Sequence, residues 1–253
     1  MSTAVISKKK GFVSSLNDPL SFSKINVLRV GWFYNWNYTR TQKVDEQIPY
    51  VPMIWGAKSA TNNDAINTIN STPVDYDSVL LGFNEPDFNQ QSNMTVDQAI
   101  SLWPVLQNSG RRLGSPAVAK NSTDPNGWFA QFMIKAKSLN YRINFIAIHW
   151  YAPPNVSSLL KTIDTLWNTY NLPIWITEFA VADWNATTTT PCKYTVDQVK
   201  DFMTKIIPEL ESRSYVERYC WKTRTTSDIN MGISTLFNDD GSLTDLGSLY
   251  ASY

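Results

Sequence analysis

Along this chain, short apolar runs alternate with stretches whose apolar residues recur at helical spacing. The runs cover residues 10–15 (KGFVSS), 27–35 (VLRVGWFYN), 50–55 (YVPMIW), 79–85 (VLLGFNE), 113–118 (LGSPAV), 145–151 (FIAIHWY), 174–179 (IWITEF) and 218–222 (RYCWK). Each has the length of a strand and is apolar on both faces, as parallel strands are when helices cover them. Residues 195–211 place Val196, Val199, Phe202, Met203, Ile206, Ile207 and Leu210 on one helical stripe. Thr195 with Gln198, and Thr95 with Gln98, have the spacing of capping boxes. The second of these starts a helix through Ile100, Leu102 and Val105, which Pro104 is expected to bend. Residues 124–139 and 157–170 read as helices, and 62–69 as a shorter one. The gaps 17–24 and 40–48 are too short for full helices. Strand-like runs with helical returns over 253 residues predict one α/β domain, 1–253, folded as a (β/α)8 TIM barrel with short or missing early helices. An open doubly wound sheet would carry a Gly-rich turn after its first strand, and none is present.

Composition narrows the chemistry. Twenty-two basic and 22 acidic residues cancel, which disfavours nucleic acid or an anionic membrane surface as partner. No run of 18 apolar residues offers a membrane-spanning helix. One histidine excludes multi-histidine metal centres, and two cysteines, Cys192 and Cys220, permit at most one disulfide. No metal or cofactor is expected. Ten Trp, twelve Tyr and eleven Phe must mostly serve the core, but ten Trp is many for this length, and flat rings with polar edges suit sugar faces. Residues 1–10 lack the apolar centre of a secretory leader, while Asn37, Asn70, Asn93, Asn121, Asn155 and Asn185 head Asn-x-Ser/Thr triplets that arise readily by chance.

Barrel chemistry sits at the C-terminal ends of strands. The fourth run ends in Asn84-Glu85-Pro86-Asp87 and the seventh in Thr177-Glu178-Phe179. Either carboxylate alone would be a structural ion pair or a cap as readily as a functional group. Two of them ending otherwise apolar strands of one ring point to a shared pocket. Side chains alternate along a regular strand, so Asn84 and Glu85 can both face that pocket only if the strand bends. Two opposed carboxyls suit glycoside hydrolysis, in which one donates a proton to the leaving oxygen while the other attacks the sugar or activates water. Glu85, beside neutral Asn84, suits the acid/base role. His149 and Tyr151, on one strand face, can donate to Glu178 and keep it anionic. Tyr34, Trp36, Trp55 and Trp221 stand at strand ends where they can meet sugar rings. Trp103, Trp128, Trp167 and Trp184 read as packing residues, Trp150 and Trp175 as strand–helix layer by parity, Asp87 as a loop cap, and the Lys8–Lys10 run as a solvated face.

Asn84-Glu85-Pro86 followed by a second strand-end Glu178 resembles the retaining (β/α)8 glycosidases. The finer resemblance is to glycoside hydrolase family 128, the endo-β-1,3-glucanases of fungi and bacteria. It is carried by WFYNW (32–36), PMIWG (52–56), LLGFNEPD (80–87), RRLGSPAVA (111–119), FIAIHWYA (145–152), PIWITEFAV (173–181), VERYCW (216–221) and DDGSLTDLGSLY (239–250), which follow that family's order over nearly the whole chain. Cys220 and the polar segment 222–237 depart from its pattern. The resemblance implies a monomeric glucan endo-1,3-β-glucosidase that acts by double displacement, with Glu85 as acid/base and Glu178 as nucleophile. It implies β-1,3-glucan as the partner, no cofactor, and a secreted or cell-wall-associated enzyme whose leader is not in this chain. Two other readings use the same residues: a protein that holds or trims β-1,3-glucan oligosaccharides without endo cleavage, and a related hydrolase of another β-glycan.

Overall fold

A computed structural model describes residues 6–15, 21–40, 47–72 and 78–253. Seven parallel strands form its framework: β1 (Lys10–Val13), β2 (Trp32–Tyr34), β3 (Val79–Leu80), β4 (Arg112–Leu113), β5 (Ile146–Ala152), β6 (Ile174–Val181) and β7 (Val216–Trp221). Five of them make one sheet in the order β2-β1-β7-β6-β5, and β3 pairs with β4. Isolated parallel bridges connect these pieces: Phe33 with Tyr50, Met53 with Leu81, Asn84 with Ala117, and Gly114 with Phe145. The expected third strand thus exists only as bridges on either side of residues 50–53. Pro52 within it has no N–H to donate to a ladder. Pro116 similarly limits the regular part of the fifth run to Arg112–Leu113.

The helices include α1 (Ser21–Leu28), α2 (Ala57–Ala60), α3 (Asn63–Ser71), α4 (Val96–Gln107), α5 (Trp128–Ser138), α6 (Val156–Tyr170), α7 (Val196–Ser212) and α8 (Asp245–Ser252). Both capping boxes are made, at Thr95 and at Thr195. Asn155 caps α6 by accepting from Ser158 N, and Asn171 ends it in the left-handed region at φ 51°. The first gap differs from expectation, because α1 continues through Val27 and Leu28, residues read as strand. Ile25 and Leu28 are buried while Val27 is 48% exposed, a helical rather than alternating pattern. Arg29, at φ 53°, ends that helix before β2 begins. In the second gap, residues 41–46 lie outside the described residues. Residues 124–127 form turns, so α5 begins later than the periodicity suggested.

Two apolar layers cover the strands. The larger fills the space between strands and helices and includes Ile148, Trp150, Ile163, Ile176, Phe202 and Ile206. The other face carries Trp32, Tyr34, Met53, Leu81, Phe145, Ala147, Trp175 and Cys220, drawn from both sheets. Trp175 therefore lies on the inner face, not in the strand–helix layer. It stacks on Phe145 with centroids 4.2 Å apart, and its indole donates to Glu217 Oε2 at 2.8 Å. The cause is a register shift in β6: Ile148 pairs with Ile176 but His149 pairs with Glu178. Thr177 is the extra residue, and it reverses the parity of everything beyond it.

Of the Lys8–Lys10 run, Lys8 is exposed as expected, but Lys9 and Lys10 turn into the fold. Lys10 is fully buried and its Nζ donates to Tyr250 O at 2.9 Å, closing the end of α8. Lys9 Nζ donates to Glu211 O and Arg213 O at the end of α7. Cationic side chains satisfy carbonyls that helix ends leave open. Cys192 and Cys220 are both free thiols.

The inner layer leaves no room at Gly11. A Cβ there would sit 2.2 Å from the Trp32 ring. Gly11→Ala is expected to cost about 1–3 kcal/mol, the usual penalty for overpacking a filled core. Urea unfolding of the two proteins measures it, and an unchanged midpoint would contradict the packing described.

Candidate active site

A cleft of about 1250 Å³ opens over the C-terminal strand ends. Glu85 and Glu178 both line it, together with Asn84, Trp36, Trp55 and Tyr151. The backbone shows how neighbours Asn84 and Glu85 can both face it. Glu85 N still donates to Ala117 O at 2.7 Å, but Glu85 itself adopts φ 43°. A left-handed non-glycine residue costs of order 1–3 kcal/mol and persists only where surroundings enforce it. Here Asn84 N donates to Trp55 O, and Met94 N to Pro86 O, which fixes both sides of the bend. Trp36, at φ 56°, is strained in the same way at the end of β2.

Glu178 is 5% exposed and surrounded by donors. Tyr34 OH donates to its Oε1 at 3.0 Å, and Trp36 Nε1 to the same oxygen at 2.7 Å. Tyr151 OH donates to Oε2. Burial pushes the carboxyl's pKa up, but His149, Lys222 and the Tyr151 and Trp36 hydrogen bonds outweigh it and hold it below the ordinary carboxylate range. Glu178 is therefore a stable buried anion. Burial also leads the strong upward push on Tyr34 and Tyr151, with Glu178 adding to it, so both phenols stay protonated as donors.

His149 lies between the two acids. Its Nδ1 is 2.8 Å from Glu85 Oε1 and its Nε2 is 3.3 Å from Glu178 Oε1. The second contact is not a formed hydrogen bond, since Nε2 lacks a hydrogen-bonding partner, and it is ionic when the imidazole is protonated. Burial pushes the imidazole pKa down, but Glu178 and Glu85 overcome this and raise it. Glu85 thus receives one side-chain contact where Glu178 receives several, so the two carboxyls have different surroundings, as paired acid and base need. The Asn84 amide donates to Gln91 Oε1 at 3.2 Å while its own Oδ1, buried at the cleft, lacks a partner.

Several residues read as substrate contacts are placed otherwise. Tyr34 is fully buried beneath Glu178 and reaches it rather than the cleft. His149 lies behind the carboxyls, 7% exposed. Trp221 is fully buried in the strand–helix layer, packed on Phe179 with its indole donating to Ser234 O. It follows inward-facing Cys220, so alternation turns it outward. Asp87 does not cap its own loop; its carboxylate accepts from Ala119 N and Lys120 N across the cleft wall.

Among the cleft residues that sequence reasoning missed are Trp184 and Lys222. Trp184, taken as packing, is 60% exposed on the cleft rim, with its indole donating to Tyr151 O. Lys222, one residue past β7, lines the cleft at 9% exposure. Its position two residues beyond inward-facing Cys220 was the available signal. Groups of three or more His, Cys, Asp and Glu able to hold a metal are absent among the described residues.

Paired acids, one held anionic, at the C-terminal ends of parallel strands suit the chemistry of a glycoside hydrolase. The model of the glycosyl hydrolase catalytic core matches residues 11–250, and the chain belongs to that family. A subgroup I endo-β-1,3-glucanase of family GH128 from Amycolatopsis mediterranei, solved as a mutant with laminarihexaose, is 31% identical with a TM-score of 0.85, covering 97% of this chain and 99% of that one. The assignment within the family is accordingly GH128. An oligosaccharide-binding GH128 protein of subgroup VII from Trichoderma gamsii, 24% identical with a TM-score of 0.74 over 96% of this chain and 92% of that one, shares the fold. Alkali-sensitive linkage protein 1 of Schizosaccharomyces pombe is 30% identical over 98% of this chain, which spans 45% of that protein's length.

The charges around His149 make stability depend on pH in a defined direction. A histidine whose pKa is raised on folding stabilises fully below its unfolded value, about 6.5, and loses that contribution as pH rises through the folded value. The stability gap between the native protein and His149→Gln should be widest below about pH 6.5 and narrow as pH rises through the raised folded value. Urea unfolding across that range checks it; a gap that widens with pH contradicts a protonated bridge.

Proposed function

We propose that the chain is a retaining endo-β-1,3-glucanase on a (β/α)8 barrel, with Glu178 as nucleophile and Glu85 as acid/base. The barrel reading rests on the parallel bridges that link β2, residues 50–53, β3, β4 and β5 in sequence order, with the run at 50–53 as the eighth strand position. The mechanistic reading rests on the unequal solvation of the two carboxyls. Glu178, kept ionised by Tyr34, Trp36, Tyr151 and the cations around it, attacks the anomeric carbon. Glu85 gives its proton to the leaving oxygen and then takes one from the water that hydrolyses the glycosyl-enzyme. His149, in contact with both, shares charge with each as the proton moves. The β-1,3-glucan assignment is supported by the laminarihexaose held by the Amycolatopsis mediterranei enzyme. Trp55 and the exposed rim residue Trp184 offer faces for glucose rings. Its working location is a glucan-containing wall or the medium outside the cell, and it works as a monomer.

Glu178→Ala is expected to abolish release of reducing ends from laminarin while leaving laminari-oligosaccharide binding intact. Glu85→Gln should lose about 10²–10⁴-fold on glucan and keep more of its activity on an aryl glucoside whose leaving group needs no proton. Proton NMR of the first-formed product should show the β anomer. Turnover by Glu178→Ala, or an α product, would overturn the assignment. Binding without cleavage by the native chain would favour the oligosaccharide-binding alternative, and cleavage of carboxymethyl-cellulose in preference to laminarin would favour another β-glycan.

A further inference from the structure

Lys222 enters the proposed mechanism only as a nearby charge, yet it is one of the few buried charged groups of the cleft. Its backbone N donates to Phe179 O at 2.8 Å, which fixes it beside Glu178 across the β6–β7 edge. Its Nζ lies 4.0 Å from the centroid of the Trp36 ring, in cation–π contact. The edge of that same ring donates to Glu178 Oε1 at 2.7 Å. Tyr34 braces the indole from another side, edge-on with centroids 5.7 Å apart, and donates to the same oxygen. Trp36 is held at φ 56°, a strained backbone that persists only where its surroundings enforce it. No carboxylate among the described residues comes within ion-pairing distance of Lys222.

We infer that Lys222 is a positioning residue for Glu178: its ammonium pins the Trp36 indole against the carboxylate and adds a positive charge that keeps Glu178 ionised. This rests on the reading of Glu178 as nucleophile and deepens it. Lys222 is charged at neutral pH, since burial draws its pKa down only to about 8, with Glu178 and Glu85 resisting and Arg224 assisting the fall. The charged or titratable groups that face it are Glu178 on β6, Glu85 after β3, His149 on β5, and Cys220 and Arg224 from its own segment. Lys24 and Asp239 line the same cleft. A cation beside a carboxylate lowers its pKa, so removing the cation must raise it.

The test is carried out on the full chain with 15N-labelled tryptophan. The Trp36 indole signal, identified by its loss in Trp36→Phe, should shift as pH falls and Glu178 takes a proton. In Lys222→Met the midpoint of that shift is expected about one pH unit higher, and in Lys222→Arg it should return towards the native value. The acid limb of kcat/KM on laminarin should move upward in step, with kcat reduced more than KM is raised. Lys222→Gln serves the same comparison if the methionine variant does not fold. An identical midpoint in native, Met and Arg proteins overturns the proposal even if laminarin is cleaved. A native chain that leaves laminarin intact would defeat the glucanase reading instead, and the indole titration would still judge Lys222.

Discussion

A carboxylate buried among apolar strands is costly to ionise, and the arrangement around Glu178 meets that cost with layered donors. Tyr34 rises from β2 beneath it, Trp36 reaches it from the end of the same strand, and Tyr151 comes from β5. His149 and Lys222 add positive charge from two more directions. These contacts use the ends of β2, β5, β6 and β7, so the sheet must hold its register for the anion to exist. The inner aromatic layer of Trp32, Phe145 and Trp175 underlies that register. Chemistry and packing here are one problem: the rings that fill the interior also fix the strands whose ends solvate the charge.

Backbone irregularities do the aiming. The register shift at Thr177 lets Trp175 and Glu178 share the inner face although they stand three positions apart. The left-handed turn at Glu85 lets adjacent Asn84 and Glu85 line one cleft, and the similar turn at Trp36 brings an indole edge to Glu178. Each departs from regular strand geometry where a functional side chain is needed, and each is held by hydrogen bonds or ring contacts from neighbouring segments. Strain of this kind survives only on a scaffold stable enough to bear it.

Much of this was legible in the residue order, for local physical reasons. Parallel-strand runs, capping boxes at Thr95 and Thr195, and two acids at strand ends are set by nearest neighbours and by simple periodicity. The bend at Asn84–Glu85 followed from strand alternation together with Pro86. Other assignments failed where parity was carried through an unseen irregularity: Trp175 was sent to the wrong face by the shift at Thr177. Trp221 failed for the opposite reason, since alternation past Cys220 turns it outward and places Lys222, not the tryptophan, at the cleft. Lys9 and Lys10 look solvated in sequence, but helix ends distant in the chain supply carbonyls that only folding brings near.

By itself the sequence determined that two acids end apolar strands and the kind of layered α/β frame that bears them, because helix and strand periods and capping act over a few residues. It also carried the family. The tertiary structure alone decided that one imidazole touches both acids, that Tyr34 serves Glu178 rather than a sugar, that Trp184 is a rim surface, and that a lysine stands over Trp36. Such relations join residues tens to hundreds of positions apart. They depend on register and on local bends of a few ångströms, and no spacing along the chain records them.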